Sequence, residues 1–165
     1  MMNDETNSGD TLLNRRLFLA LFGVSALAGC ASVPGIGDSG TDAASGKAHL
    51  GKIRSSYGLP PLVADARLER AALEQSGFMA RSGRMVHDTG WRRDFATRMK
   101  RNGINGTAAE NLAHGAFGPD RMFQMWMDSP GHRANMLNPD FSRFGLAYSQ
   151  EAGGKRRFWT LVLAR

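Results

Sequence analysis

The stretch MWMDSPGHRANMLNP, residues 125–139, concentrates helix-boundary signals and polar side chains around one histidine. Ser129 before Pro130 is a favourable N-cap followed by a favourable first helical residue. His132 therefore falls in the first turn of a short helix, whose positive end disfavours a protonated imidazole. A neutral imidazole can accept a proton, accept a hydrogen bond or bind a metal ion. The stretch predicts a chemically available histidine, with Asn135 on the same helical face.

Helices are predicted before this stretch and strands after it. The helices are bounded by N-capping residues, prolines and glycines, and their apolar residues recur at helical spacing. They cover about residues 48–57, 65–82, 91–101 and 119–128. Apolar residues alternate with small ones over residues 144–148, and RRFWTLVLA, residues 156–164, is typical of a strand. With a further strand expected around residues 110–112, the order predicts an α+β domain with an antiparallel hairpin.

The N-terminal residues have the composition of a bacterial export signal. Arg15 and Arg16 precede a twelve-residue apolar run, residues 17–28, too short to cross a hydrocarbon core of about 30 Å. Basic, apolar and small segments in this order indicate a secretory signal peptide, and the arginine pair resembles a twin-arginine signal. LAGC, residues 27–30, resembles a lipobox, which implies that Cys30 is acylated and held by membrane lipid. The alternatives are a plain signal peptide with an incidental cysteine, or an N-terminal anchor helix.

Three segments follow from this interpretation. Residues 1–29 are expected to be the signal peptide, residues 30–46 an acylated cysteine with a flexible tether, and residues 47–165 the folded domain. The expected tether is rich in Gly, Ser, Ala and Asp and has no sustained apolar period. Cys30 is the single cysteine of the sequence, so the mature domain is expected to be held by its core without a disulfide.

The chain is basic, and its charge restricts the class of partner. The formal net charge is +6, and removal of residues 1–29 takes away two arginines and three carboxylates, which raises it to +7. Such a domain could lie against anionic lipid or a polyanionic envelope polymer, or it could carry a solvated basic surface. The sequence has no nucleic-acid recognition motif. We expect an envelope protein, periplasmic or at the outer membrane in a Gram-negative cell, that is monomeric and binds no nucleic acid.

Two further polar groups stand in unusual local sequences. His87 lies in RMVHDTGW, in a loop after the second predicted helix, and Glu110 lies in AAENLAHG beside Asn111. A glutamate between alanines and an apolar residue is expected to be partly buried and therefore to need a partner, for which a histidine is suitable. No zinc signature such as H-E-x-x-H is present. On spacing alone, each histidine could equally be a cap or a satisfied surface group.

The motifs taken together resemble the CAP superfamily of cysteine-rich secretory proteins, insect venom antigen 5 and plant pathogenesis-related proteins. The resemblance is greatest to the bacterial branch without cysteines and runs from about Leu50 to Val162. It is carried by YGLPPLVADARLERAA, MVHDTGW, AENLAHG, MWMDSPGHRANMLNP and FWTLVL, in this order. The resemblance implies a three-layer α-β-α sandwich with an antiparallel sheet.

The resemblance also implies a cleft lined by two histidines and two acidic residues. His87, Glu110 and His132 match three of these positions and form the expected catalytic cluster, in which His87 and His132 could hold zinc or another divalent cation. Ser129 occupies the place of the fourth, and Asp128 would point about 100° around the helix from it. The candidate ligand-binding residues are Asn111, Ser129, Asn135 and His114, although Ser129 could serve only as a cap and His114 only as an exposed loop residue.

Three functions are compatible with such a cleft. The first is binding of a lipid, another small molecule or a divalent metal. The second is metal-assisted hydrolysis of a peptide or ester, with Glu110 as general base on a water polarised by His87 and His132. The third is a non-catalytic envelope interaction module in which the polar cluster stiffens the cleft floor. We expect binding more than dedicated catalysis, because the missing second carboxylate removes a partner that could separate two pKa values.

Overall fold

Helices and strands follow one another along the part of the chain that the computed structural model describes, residues 35–88 and 90–165. The strands in these ranges are β1 (Ile36–Thr41), β2 (Val63–Ala64), β3 (Ala108–Gly115), β4 (Arg143–Glu151) and β5 (Arg157–Ala164). The helices are α1 (Ala43–Ser56), α2 (Ala66–Ser82), α3 (Phe95–Arg101), α4 (Pro119–Asp128) and α5 (Pro130–Met136). The α+β class predicted from the sequence is confirmed.

The sheet has the strand order β1-β4-β5-β3, and neighbouring strands on this path are antiparallel. The short β2 pairs with β4 in parallel. β3 ends this path, and the Trp126 indole nitrogen on α4 donates to the Leu112 carbonyl of β3 at 2.9 Å, which links this strand to the helices.

Helices cover both faces of the sheet, as the three-layer sandwich requires. On one face, α1, α4 and α5 pack against apolar residues of the sheet in a cluster that contains Leu50, Trp126 and Met136. On the other face, Leu68 of α2 and Met99 of α3 pack against apolar residues of β4 and β5. The apolar clusters and the strands and helices of the described residues all lie between Ile36 and Ala164.

Helix boundaries agree best with the sequence where capping residues mark them. The side chain of Asp65 accepts from the backbone nitrogens of Arg67 and Leu68 at the start of α2, and Gly83 ends the helix with a φ of 66°. Such a left-handed conformation favours glycine. α4 has the predicted bounds, with Pro119 in its first turn. α3 begins later than predicted, at Phe95, because Asp94 caps it by accepting from the Thr97 backbone nitrogen at 2.8 Å.

The predicted flexible tether over residues 30–46 is wrong from Ile36 onward. β1 pairs with β4 from Ile36 opposite Glu151 to Thr41 opposite Ala147, and α1 begins at Ala43. This pairing uses backbone groups and therefore needs no apolar period in the sequence. The folded domain therefore begins about eleven residues earlier than the predicted residue 47. The predicted signal peptide, lipobox and acylated Cys30 lie outside the described residues.

The helices of this domain are short or amphipathic. None of those in residues 35–88 and 90–165 is long and apolar enough to cross a bilayer.

Candidate functional site

The centre of the site is Glu110, a carboxylate on β3 whose side chain is only 2% exposed. Its Oε1 is 2.9 Å from the Nδ1 of His87. Its Oε2 accepts from the guanidinium of Arg98, which is completely buried. Both oxygens of the carboxylate therefore have a partner, as a charge removed from water requires. The contact predicted between the buried glutamate and a histidine is present.

Arg98 is a site residue that was not singled out from the sequence. It lies on α3, where it shares the inward face with Phe95, and its guanidinium is 5.6 Å from the centre of that ring. Its Nη1 also donates to the Arg93 carbonyl at 3.3 Å. The available signal was the i, i+3 spacing from Phe95, which places both residues on one helical face. An arginine at such a position is normally a surface group, so the pattern gave no reason to expect its burial.

His87 belongs to the segment that follows α2. The buried amide of Gln75 fixes this segment by donating to the Val86 carbonyl at 2.6 Å. The His87 side chain is 59% exposed, so the ring reaches solvent while Glu110 holds it by Nδ1. Because Glu110 holds Nδ1, Nε2 is the ring nitrogen left for a ligand, as an acceptor in the neutral ring and as a donor in the protonated ring.

His132 is held by two asparagines that connect α5 to β3. The Asn111 amide donates to the His132 carbonyl at 3.0 Å, and the Asn135 amide donates to the Asn111 side-chain oxygen at 2.9 Å. The half-buried His132 ring also lies 6.5 Å from the Trp126 ring, centre to centre. Ser129 stands at the N-cap position of α5, as predicted, but its side chain makes no capping hydrogen bond.

Burial lowers the pKa of His132, and the nearby charge of His87 lowers this pKa further. The direction agrees with the prediction of a neutral imidazole, but the main cause is desolvation and not the helix N-terminus from which the prediction was made. His132 therefore favours the neutral form, which can accept a hydrogen bond from a ligand.

The two histidines approach the site from opposite faces of the sheet. Neighbouring residues of a strand point to opposite faces, so Glu110 points toward α3 while Asn111 points toward α5. β3 ends the strand path, so the two faces meet at its outer edge. His87 contacts Glu110 directly, whereas His132 is connected to β3 through Asn111.

A sequence model of the CAP family, the cysteine-rich secretory protein family, matches residues 49–163. The chain belongs to the CAP family. The family resemblance and the fold that it implied are thereby confirmed.

Relatives of this CAP domain include longer bacterial proteins. Protein YkwD of Bacillus subtilis (strain 168) is 34% identical over 108 residues, which are 65% of this chain and 40% of YkwD. An extracellular protein containing an SCP domain from Bacillus anthracis (strain Ames) has a TM-score of 0.62 and 27% identity, covering 70% of this chain and 37% of that one. The CAP chain therefore spans about 40% of the length of these two relatives.

A third similar structure matches in length. An outer surface protein from Borrelia burgdorferi has a TM-score of 0.66 and 19% identity, covering 78% of this chain and 98% of that one. At this identity the likeness concerns the fold alone.

Two further candidate residues lie apart from the centre of this CAP site. His114 is four residues along β3 from Glu110, a distance of about 13 Å in a strand, and its ring stacks on Phe158 at 5.6 Å. Asp128, at the end of α4, is exposed and accepts from the Gln124 amide at 3.0 Å. Neither residue takes part in the hydrogen bonds of the His87–Glu110 pair. Asp128 therefore does not replace the second acidic residue of the family pattern, whose place is occupied by Ser129.

The residues of the CAP site do not fit a three-ligand zinc site. A catalytic zinc takes three protein ligands and keeps one open position. Glu110 is already hydrogen-bonded to Arg98 and His87, so it is placed to orient His87 and not to bind a metal itself. Across residues 35–88 and 90–165, no group of three or more His, Cys, Asp and Glu side chains could hold a metal ion.

We expect His132 to titrate below the ordinary histidine value of about 6.5. The physical reasons are its burial and the charge of His87. Because the folded-state pKa is below the unfolded one, the stability contributed by neutral His132 is full above about pH 6.5 and is lost as the pH falls through the folded-state pKa. Imidazole NMR titration measures the midpoint, and urea unfolding of wild type and His132→Gln at several pH values measures the linkage.

The His87→Gln variant provides the control for this titration. Removing the charge of His87 should move the His132 midpoint upward but leave it below the ordinary value, because burial remains. His114→Gln should leave the His132 midpoint unchanged. A wild-type midpoint at or above the ordinary value would contradict the proposed environment of His132.

Proposed function

We propose that this CAP domain is an exported envelope protein that binds a small molecule or lipid through a polar group at the site of His87, Glu110 and His132, beside the outer edge of β3. The observation that carries the proposal is the pairing of both Glu110 oxygens, one with Arg98 and one with His87. This arrangement holds an imidazole in a defined orientation at the surface. The resulting site offers hydrogen-bonding groups in fixed positions, which is what a selective ligand site needs.

Binding is better supported than hydrolysis by the same observation. A general base must reach the proton that it removes with an available lone pair. The carboxylate of Glu110 is buried, and both of its oxygens already have hydrogen-bond partners, in Arg98 and His87. Its most direct role is therefore to position His87. Metal-assisted hydrolysis by Glu110 remains the competing enzymatic hypothesis, and a rigid interaction module remains the non-catalytic one.

The proposed location in the envelope is supported by the sequence and by the relatives. Arg15, Arg16 and the apolar run after them indicate export, and the lipobox-like residues 27–30 indicate acylation of Cys30. The Bacillus anthracis relative is described as extracellular. We therefore propose that Cys30 carries the lipid that anchors the domain. Labelling of cells with a radioactive fatty acid should mark the wild-type protein and leave Cys30→Ala unlabelled.

The proposed binding function predicts a ligand that depends on both histidines. Protein purified from its native envelope is extracted, and the small molecules recovered are identified by mass spectrometry. We expect the variant His87→Ala/His132→Ala to retain about tenfold less of the specific compound, because loss of two oriented hydrogen bonds removes about 1 kcal/mol each or somewhat less. His114→Ala is the control, since it removes an exposed histidine from β3, the strand that carries Glu110.

Each alternative gives a different result in this experiment. Equal recovery of the compound from the wild type and the double variant would reject the cleft as its binding site. Hydrolysis of a peptide or ester library that is lost in Glu110→Gln would favour the enzyme. Stoichiometric zinc uptake that disappears in His87→Ala and in His132→Ala would favour the metal site. A change in stability with no effect in any of the three assays would favour the interaction module.

A further inference from the structure

Most of the net positive charge of the chain is concentrated in one segment. Residues 81–101 contain seven basic side chains and two carboxylates, a net charge of +5 out of the +6 of the whole chain. Both carboxylates have local partners: Asp88 accepts from the Gly90 backbone nitrogen, and Asp94 caps α3. Within the described residues, neither carboxylate forms an ion pair with an arginine of this segment.

Five of the exposed residues of this segment form what we call the basic face: Arg81, Trp91, Arg92, Arg93 and Lys100. All four cations are exposed, and none of them forms an ion pair within the described residues. Arg92 and Lys100 also line a concavity of about 550 Å³ together with Thr97 and Arg101. Arg101 pairs with Glu74, so it contributes less free charge.

An aromatic residue stands out in the middle of these cations. Trp91 is 87% exposed, and the guanidinium of Arg92 lies 5.3 Å from the centre of its ring. Arg92 has a left-handed backbone with a φ of 57°, which is uncommon for a residue other than glycine. A large aromatic ring exposed beside arginines and a lysine is the composition found where a protein meets the headgroup region of a bilayer.

The start of the folded domain lies beside the same face. A Cβ built on Gly35 would be 3.7 Å from the Cγ of Arg81. The guanidinium groups of Arg81 and Arg93 both lie over the ring of Phe78, at 5.2 and 4.9 Å from its centre. Cys30 precedes Gly35 by five residues, a span of at most about 18 Å. A lipid on Cys30 would therefore hold this side of the domain close to the membrane.

We propose that the basic face docks on an anionic phospholipid bilayer, with the cations against lipid phosphates and Trp91 in the headgroup region. The placement of the lipid at Cys30 rests on the proposed export and acylation, whereas the docking surface itself does not depend on the ligand of the cleft. The lipid on Cys30 and the unpaired cations of the basic face would act together. A single acyl chain binds a membrane only marginally, whereas an acyl chain combined with a basic patch anchors a protein stably.

The experiment measures binding of the mature chain without its acyl group, residues 31–165, which contains all the described helices and strands. The probes are vesicles of equimolar phosphatidylglycerol and phosphatidylcholine, with pure phosphatidylcholine vesicles as the uncharged comparison. We expect co-sedimentation with the anionic vesicles that is lost in about 0.5 M salt, where the Debye length falls below about 5 Å. We also expect a blue shift of tryptophan emission, because Trp126 and Trp159 are buried and Trp91 is exposed.

Variants separate the basic face from the overall charge. Arg92→Glu/Lys100→Glu should weaken binding to the anionic vesicles by about tenfold or more, since cations near such a surface are attracted to its lipid phosphates. Lys47→Glu/Lys52→Glu makes the same change in net charge on exposed positions of α1, in the opposite layer, and should have a much smaller effect. Trp91→Phe should abolish the emission shift while most of the sedimentation remains.

Four results would overturn the proposal. They are absence of wild-type binding to anionic vesicles, equal losses in the two charge-reversal variants, sedimentation without any emission shift, and equally tight binding to soluble polyphosphate. The last result would assign the basic face to an anionic polymer. None of these results depends on His87 or His132, so failure of the docking proposal is distinguishable from failure of the proposed ligand site.

Discussion

Replacement of Arg98 by methionine is expected to lower the free energy of unfolding by about 3–5 kcal/mol. Arg98 and Glu110 are both buried, and the guanidinium is the charged partner of the carboxylate on the inner side of the site. Methionine fills part of the space but leaves a buried carboxylate with only His87 beside it. Urea unfolding followed by circular dichroism measures the loss.

Two further variants identify the cause of this loss. Arg101→Met removes an arginine from the same helix, but its ion pair with Glu74 is partly exposed and should contribute no more than about 1 kcal/mol. Arg98→Met/Glu110→Gln should recover part of the stability, because it removes the unpaired buried charge. If Arg98→Met and Arg101→Met were equally destabilised, the buried pair would not be the organising feature of the site.

The same series tests the role assigned to Glu110. If the carboxylate positions His87, Glu110→Gln should preserve ligand recovery better than Glu110→Ala, since an amide oxygen can still accept from His87. Both variants are studied at temperatures where they remain folded. A difference in ligand recovery then reports the orientation of His87 and not the loss of folded protein.

Replacement of Gly145 by alanine is expected to lower the free energy of unfolding by about 3 kcal/mol or more. Gly145 lies in β4, where an added Cβ would stand 2.2 Å from the backbone carbon of Leu68 and 2.2 Å from the backbone nitrogen of Glu69. These atoms belong to the first turn of α2 and cannot rotate away as a side chain can. The helix would have to move away from the sheet, at the expense of the apolar contacts of Leu68.

Gly51→Ala is the matched control for this substitution. Gly51 lies in α1, and a Cβ built there would meet no atom within 4 Å. Alanine should stabilise the helix by about 0.5–1 kcal/mol, because it restricts the unfolded chain more than glycine does. Thermal unfolding of the two variants should give opposite changes in Tm. A neutral Gly145→Ala would contradict the close approach of α2 to β4.

Features with local signals were predictable from the sequence. The bounds of α2 and α4 were correct because Asp65, Gly83 and Pro119 act on backbone groups within the same helical turn. β4 and β5 were recognised from alternation and residue type. β1 was missed because its pairing partner, β4, is more than one hundred residues away, and the polar side chains of Ser39 and Thr41 gave no sign of it.

A histidine partner for Glu110 was predicted for a physical reason, since a glutamate buried among apolar residues needs one. The tertiary structure decided that this histidine is His87, 23 residues away in the sequence. The completion of the pair by Arg98 was not predictable, because an arginine in a short basic helix is usually solvated.

The amino-acid sequence alone determined the CAP family, the α+β class, most helix boundaries and the histidine and glutamate positions, because periodicity, capping and motif order act over short distances along the chain. The tertiary structure decided which of these polar groups share a site and on which face of the sheet each one lies. It also decided that Arg98 completes the buried pair and that the basic face lies beside Gly35. These outcomes depend on contacts between segments distant in sequence, which form only when both layers of helices pack on the sheet.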